Sequence, residues 1–328
     1  MKLRGTRAVW VNAWPGSILS MQMKIKRSSC FGVAGTVLAA LVLFAPGRAQ
    51  DAMSGVAMGR TAGQYFNYAG NKIFYQVAGR GQPILLIHGY PLSGELFRHQ
   101  RTGLSDRFKV VTLDLPGFGR STAPNATGSI MSYAKDVIAL MNHLHIQKTI
   151  IGGHSMGGVI TMELYREVPQ RFAGMILIDT NPMPAPIVGA AQWNAYPIQA
   201  RQKGIASTVP LLLPQMLTGR TRLGFPGVAN ELKGIVMQAS LNGFVAGGHA
   251  LADRADYRPL LKTVKVPTLI LVGVADALWS LEIDQMMHAA IPASKLVILP
   301  GAAHASIFEK PTEANNAIRS WASNMAAR

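Results

Sequence analysis

The sequence predicts an α/β fold, with a mostly parallel sheet of about eight strands, helices on both faces and one long helical insertion. Three observations predict it. Fully apolar runs such as Ile84-Leu85-Leu86-Ile87 lack the alternation of a half-exposed strand and mark strands buried on both faces. These runs alternate with stretches of helical spacing, which implies crossover connections between parallel strands. The alternation breaks once, between Thr180 and about Pro267, where the chain is proline-rich and carries amphipathic pieces but no clear strand. So long a segment inside a packed domain is expected to be a functional cap rather than a bare loop.

The elements follow in order. Residues 50–63 are small and polar and read as a flexible lead-in. Residues 65–68 and 72–77 flank Ala69-Gly70-Asn71 and read as a short hairpin. The run at 84–87 is a buried strand. Val110-Val111-Thr112-Leu113-Asp114 is another, followed by the turn Pro116-Gly117-Phe118-Gly119-Arg120-Ser121. Residues 131–144 place Val137, Ile138, Met141 and Leu144 at helical spacing. A strand from Thr149 leads into Gly153-His154-Ser155-Met156-Gly157-Gly158, and a helix follows to about Glu167. Further strands are expected at 175–179, 268–272 and 296–299, with helices at 281–291 and from Thr312 onward. The expected organisation is a core of 64–180 and 256–328 around a cap at 181–255.

Apolar residues make up 49% of the 328 and charged residues only 15%, which argues for a packed globule and against disorder. The net charge is +16, but seven of the cations lie in residues 1–49, which hold no acid, leaving +9 for the remainder. The surplus makes a basic surface. No Arg-rich helix and no zinc-ligand spacing turns it into a nucleic-acid site.

Residues 24–49 read as a secretory signal. Lys24, Lys26 and Arg27 precede an apolar run from Phe31 to Ala45, too short for the roughly 20 residues of a membrane span. Gly47-Arg48-Ala49 then offers small residues for cleavage before Gln50. Residues 1–22 read as an extension upstream of a start at Met23, and an uncleaved N-terminal anchor is the alternative reading of the apolar run. Export places the protein in the periplasm or outside the cell, with no membrane span after cleavage. Cys30 is the only cysteine. The mature chain therefore has neither a disulfide nor a cysteine nucleophile.

The Gly-x-Ser-x-Gly turn is the chemical centre. Between a strand and a helix, it lifts the Ser155 hydroxyl out of the sheet on a sharp, strained turn. By itself the pattern also fits a plain glycine-rich turn. A serine hydroxyl becomes nucleophilic only when a base takes its proton, and the base is usually a histidine held by a carboxylate. In parallel sheets such groups collect after the carboxyl ends of strands. His304 and Asp276 both follow strands directly, and Ser155, Asp276, His304 is the chain order expected of this arrangement. Asp179 also ends a strand and is the rival acid. His88 follows a strand as well; it reads as a brace for its loop more readily than as the base. The N–H groups of Tyr90 and Met156 are the candidate oxyanion donors. Asp114 and His154 read as structural, and His99, His143, His145, His249 and His288 as surface or helix residues.

Five motifs in order carry a resemblance: His88-Gly89-Tyr90-Pro91, the turn from Asp114 to Ser121, the Ser155 turn, the stretch from Pro267 to Asp276, and Gly301 to His304. Over residues 64–326 the chain resembles the α/β-hydrolase fold superfamily. The segment from His88 to Gly94 is similar to its cofactor-free haloperoxidase and aryl-esterase branch. The resemblance implies an eight-stranded sheet, a cap after the sixth strand, a Ser-Asp-His triad and no metal or organic cofactor. Epoxide hydrolases and haloalkane dehalogenases share the His-Gly-x-Pro pattern but carry Asp where this chain has Ser155, which disfavours those activities. Two positions depart from the family pattern. Ala303 stands where glycine commonly precedes the histidine, and Trp279 where proline often follows the acid.

The function expected is that of an exported serine hydrolase. It cleaves a carboxylic ester, or a similar acyl bond, of a small apolar or aromatic molecule through an acyl-enzyme on Ser155. Trp193, Tyr196, Phe225 and Phe244 of the cap fit such a substrate, and fit equally a cap that merely packs on the core. A peroxide-dependent reaction on the same triad, as in cofactor-free haloperoxidases, and a non-catalytic binding protein are the alternatives. The natural substrate and the oligomeric state are left open by the sequence.

Overall fold

Among the described residues eight strands, numbered in chain order, form one sheet in the order β1-β2-β4-β3-β5-β6-β7-β8. They are β1 (Gln64–Tyr68), β2 (Asn71–Ala78), β3 (Gln82–Ile87), β4 (Phe108–Leu113), β5 (Thr149–His154), β6 (Phe172–Ile178), β7 (Thr268–Gly273) and β8 (Ser294–Leu299). The computed structural model describes residues 63–123 and 128–326, so the readings placed on residues 1–62 lie outside the described residues. Only the pairings β1–β2 and β2–β4 are antiparallel; β4, β3, β5, β6, β7 and β8 run parallel.

The apolar runs become the central strands for the expected reason. Residues 84–87 are fully inaccessible, and β5 and β7 are buried along their whole length. The edge strand β8 is only partly covered and carries Lys295, a common way to blunt an exposed edge. The helix Ile130–His143 starts at a reciprocal cap in which the Ser129 and Ser132 side chains each accept from the other's backbone N–H. The helix Pro311–Ala326 opens on proline, whose missing N–H costs nothing at that position.

Between β6 and β7 the described chain forms helices and no strand. The main ones are Ile187–Lys203, Val209–Met216, Pro226–Val236 and Leu241–Ala252. Trp193, Tyr196, Leu212, Leu232 and Phe244 of this insertion belong to the same apolar cluster as the sheet. Phe225 departs from the expectation placed on the cap aromatics. It is 55% exposed and is not a member of that cluster. Among the described residues no helix is long and apolar enough to cross a membrane.

The register positions the site. Ile87 pairs with Gly153, Gly153 with Leu177, Ile178 with Leu271, and Gly273 with Leu299. The loops that carry His88 to Tyr90, Ser155, Asp179, Asp276 and His304 therefore leave the same end of the sheet side by side.

Asp284, on the helix Leu281–Ala290, is a cost within this fold. Its side chain is buried and, among the described residues, has no hydrogen bond beyond its own backbone. Burial, with the nearby charge of Asp276, pushes its carboxyl up to about 7 from an ordinary 3.8. The folded state therefore holds a proton that the unfolded chain releases, and stability falls as pH rises from about 4 towards 7. Asp284→Asn is expected to stabilise the protein by about 2 kcal/mol more at pH 8 than at pH 5. Urea denaturation at the two pH values checks this, and an equal gain at both would contradict it.

Candidate active site

Ser155 joins β5 to the helix Met156–Glu167 with φ 52° and ψ −116°. A non-glycine residue at positive φ is strained and persists only where its surroundings fix it. Here the Ser155 N–H donates to the Ile178 carbonyl at 2.9 Å, and its own carbonyl accepts from Thr180 Oγ1 at 2.7 Å and from the Gly158 N–H at 2.9 Å. Helix and sheet meet too closely for side chains. A Cβ on Gly157 would lie 2.0 Å from the Ile87 carbonyl oxygen. This close approach is why the turn requires glycine after the serine.

His304 faces Asp276 directly, with Nδ1 2.7 Å from Oδ2 and both side chains buried. A carboxylate only accepts, so the proton sits on Nδ1 and Nε2 presents a lone pair. That Nε2 is buried and bonds to nothing else among the described residues. Asp276 is held in turn: its Oδ1 accepts from the N–H groups of Leu278 at 2.7 Å and Trp279 at 3.2 Å. Trp279, the departure noted in the sequence, thus donates to the acid through its backbone.

The rival acid is placed elsewhere. Asp179 accepts from Gly273 N at 2.8 Å and from the Ser306 hydroxyl at 2.5 Å. Its carboxyl stands 3.9 Å from His154 Nε2 and makes no hydrogen bond to the His304 ring. Burial, and then the charge of Asp276, raise its carboxyl well above the usual range. Asp179 ties β7 to the segment after His304 and reads as a scaffold group.

The two other buried histidines are also structural in geometry. His154 Nε2 donates to the His304 carbonyl at 2.7 Å, and burial holds the ring well below the usual histidine range. His88 Nδ1 donates to the Gly89 carbonyl at 2.9 Å while Nε2 accepts from Leu115 N at 2.9 Å. With both nitrogens engaged, His88 is a brace between two loops. Asp114 braces the same region, accepting from Gly94 N and Arg120 N at 2.8 Å each.

The β3 loop passes over the serine. A Cβ on Gly89 would lie 2.9 Å from Ser155 Cβ, so the next residue, Tyr90, borders the turn. Among the described residues neither the Tyr90 N–H nor the Met156 N–H donates a hydrogen bond. Both are therefore available to an incoming anion, and Met156 also begins a helix, whose end favours negative charge.

Glu309 is a group that the sequence pattern missed. Its Oε2 accepts from Ala303 N at 2.7 Å, and its Oε1 from the N–H and hydroxyl of Thr218 at 3.0 and 2.8 Å. Ala305 N donates to the Met216 carbonyl at 2.8 Å. The residues on either side of His304 are thus pinned to the insertion. Nothing in local spacing announces a contact between positions 218 and 309.

A serine on this turn and a buried His–Asp pair, both at the same end of a mostly parallel eight-stranded sheet, define a hydrolase of the α/β class. The comparisons with known proteins agree. A family model described as alpha/beta hydrolase fold matches residues 82–210. A protein of Synechocystis sp. provisionally named a non-heme chloroperoxidase is 32% identical over 259 residues, covering 75% of this chain and 92% of its own. 3-Oxoadipate enol-lactonase 2 of Acinetobacter baylyi is 29% identical over 247 residues, covering 74% and 90%. Among solved structures, a thermophilic esterase from Thermogutta terrifontis is 30% identical with a TM-score of 0.77, covering 80% of this chain and 99% of that one. The chain belongs to the α/β-hydrolase family.

Proposed function

We propose that the protein is an exported serine hydrolase that cleaves a carboxylic ester by two-step acyl transfer. The observation that supports it most is the free Nε2 lone pair of His304, fixed by Asp276 at the same sheet end as the strained Ser155 turn. His304 takes the Ser155 proton as the hydroxyl oxygen attacks the ester carbonyl, and Asp276 stabilises the imidazolium that forms. The N–H groups of Tyr90 and Met156 receive the oxyanion. His304 then gives the proton to the departing alkoxide. In the second step it takes a proton from water, whose oxygen attacks the acyl-enzyme carbonyl, and returns a proton to Ser155 Oγ as the acid leaves.

Tyr90, which follows the Gly89 that meets the serine turn, packs in an aromatic cluster. The Tyr90 ring lies 5.0 Å from Phe244 and 6.2 Å from both Trp193 and Phe118, centroid to centroid. This favours a small apolar or aromatic substrate. The esterase and lactonase relatives support ester chemistry. A p-nitrophenyl ester chain-length series is the test: saturable hydrolysis with an optimum at short to medium chains is expected, and rates no higher than buffer for the whole series would overturn the reading.

The chloroperoxidase-named relative supports a second use of the same acyl-enzyme. Hydrogen peroxide in place of water would release a peracid, which oxidises halide. Bromination of a phenol-based dye in carboxylic-acid buffer, with chelator present, separates the two reactions.

A further inference from the structure

Among the described residues, three buried polar atoms that aromatic contacts link to one another have no hydrogen-bond partner: the Tyr90 hydroxyl, Trp279 Nε1 and Arg254 Nη2. They come from three separate elements. Tyr90 lies on the loop after β3, Trp279 follows the acid Asp276, and Arg254 follows the helix Leu241–Ala252. Aromatic contacts join them. The Arg254 guanidinium carbon sits 5.5 Å from the Trp279 ring centroid, Trp279 is 6.4 Å from Trp193, and Trp193 is 6.2 Å from Tyr90.

Arg254 is the unusual member. It is 4% exposed, and it forms no ion pair among the described residues. Its Nε and Nη1 donate to the carbonyls of Met183 and Leu251 at 2.8 Å each, which fixes the fork and leaves Nη2 over. Burial alone pulls the guanidinium down to about 10. A buried cation without a counter-charge is costly and rarely kept without a partner. An indole N–H and a guanidinium can only donate, so their partner must be an anion or another strong acceptor.

We propose that Arg254 and Trp279 form a subsite for a carboxylate carried by the substrate, so that the preferred ester is anionic. This rests on the serine-hydrolase reading for the reaction but not for the binding. The ester carbonyl lies at Ser155 and the carboxylate lies under the cap, on Nη2 and the indole N–H. The basic surface of the protein would also draw such a substrate in.

Matched pairs of esters test it. Monomethyl adipate against dimethyl adipate places the charge on the acyl side, and 4-acetoxybenzoate against its methyl ester places it on the alcohol side. The wild type is expected to favour the anionic member of at least one pair in kcat/KM. Arg254→Met should cut that preference by about 10- to 100-fold, the range of a charged hydrogen bond. Arg254→Lys should restore part of it, and Trp279→Phe, which keeps a ring but removes the donor, should cut it several-fold. Each preference is a ratio within one protein sample, so partial misfolding of a variant cancels.

Calorimetric titration of Ser155→Ala with adipate and with 4-hydroxybenzoate gives a readout independent of turnover. At least one should bind at least tenfold more weakly once Arg254→Met is added. The subsite is overturned if the wild type discriminates less than threefold in both pairs, if Arg254→Met leaves the preference intact, or if neither acid's binding depends on Arg254. Absence of turnover on every ester, with binding still dependent on Arg254, would overturn the hydrolase reading and keep the subsite.

Discussion

Ser155→Ala is expected to lower kcat for p-nitrophenyl ester hydrolysis by about 10⁴–10⁶ while leaving the protein folded. The loss is large because the serine is the only group on the strained turn that can form the acyl bond. It stops short of total because the Tyr90 and Met156 N–H groups and the pocket remain, and these alone retain part of the rate enhancement. The Ser155 side chain makes no capping bond that alanine would lose, and the backbone N–H and carbonyl keep their bonds to Ile178 and Thr180. A cooperative urea transition for the variant, beside a lost burst of nitrophenol, separates lost chemistry from lost fold. Loss of less than tenfold would mean that another group does the attacking.

Asp276→Asn should follow closely, with kcat/KM down by about 10³–10⁴, or roughly 4–5.5 kcal/mol of transition-state stabilisation. The hydrogen bonds around the acid say why. Oδ1 already accepts from the Leu278 and Trp279 N–H groups, so the amide oxygen of an asparagine is drawn there. Its NH₂ then faces His304 Nδ1 where a carboxylate stood 2.7 Å away. An NH₂ can only donate, so Nδ1 must accept and the ring proton moves to Nε2. The base is then in the wrong tautomer to take the serine proton. Asp179→Asn is the control. Its carboxyl makes no hydrogen bond to the His304 ring, so a loss within about tenfold is expected, much of it through the Ser306 contact. Steady-state kinetics on both variants decide the assignment, and a larger loss at Asp179 than at Asp276 would reverse it.

Much of this site was legible in the sequence because its parts are local. The turn at Ser155 needs glycine at 157, where a Cβ has no room, and that constraint is written at a fixed spacing. Asp276 and His304 could be found because the register of a parallel sheet brings strand ends together, and both residues stand just beyond one. The buried strands were legible for the same reason, since β5 and β7 carry no alternation to confuse with an exposed face. The choice of Asp276 over Asp179 rested on chain order, and only the geometry shows which carboxyl bonds to the imidazole.

The rest depends on contacts between distant positions. Glu309 reaches Thr218 across 91 residues, and Arg254 meets Trp279 only because the helix Leu241–Ala252 returns over the β3 loop. Helix content in the insertion was hard to read because proline sits inside it. Pro197 lies within Ile187–Lys203, where local preference opposes a helix and tertiary packing overrides it. Phe225 shows the converse. An aromatic residue in a cap is not thereby part of its inner face.

The central claim is that Ser155 is a nucleophile activated by His304 and Asp276. Reaction of the purified protein with a fluorophosphonate probe, followed by peptide mass spectrometry, tests it most directly. A single adduct on the peptide containing Ser155, absent from heat-denatured protein and strongly slowed in Asp276→Asn, is the predicted result. No adduct on the folded wild type, or an adduct on a different residue, would contradict it.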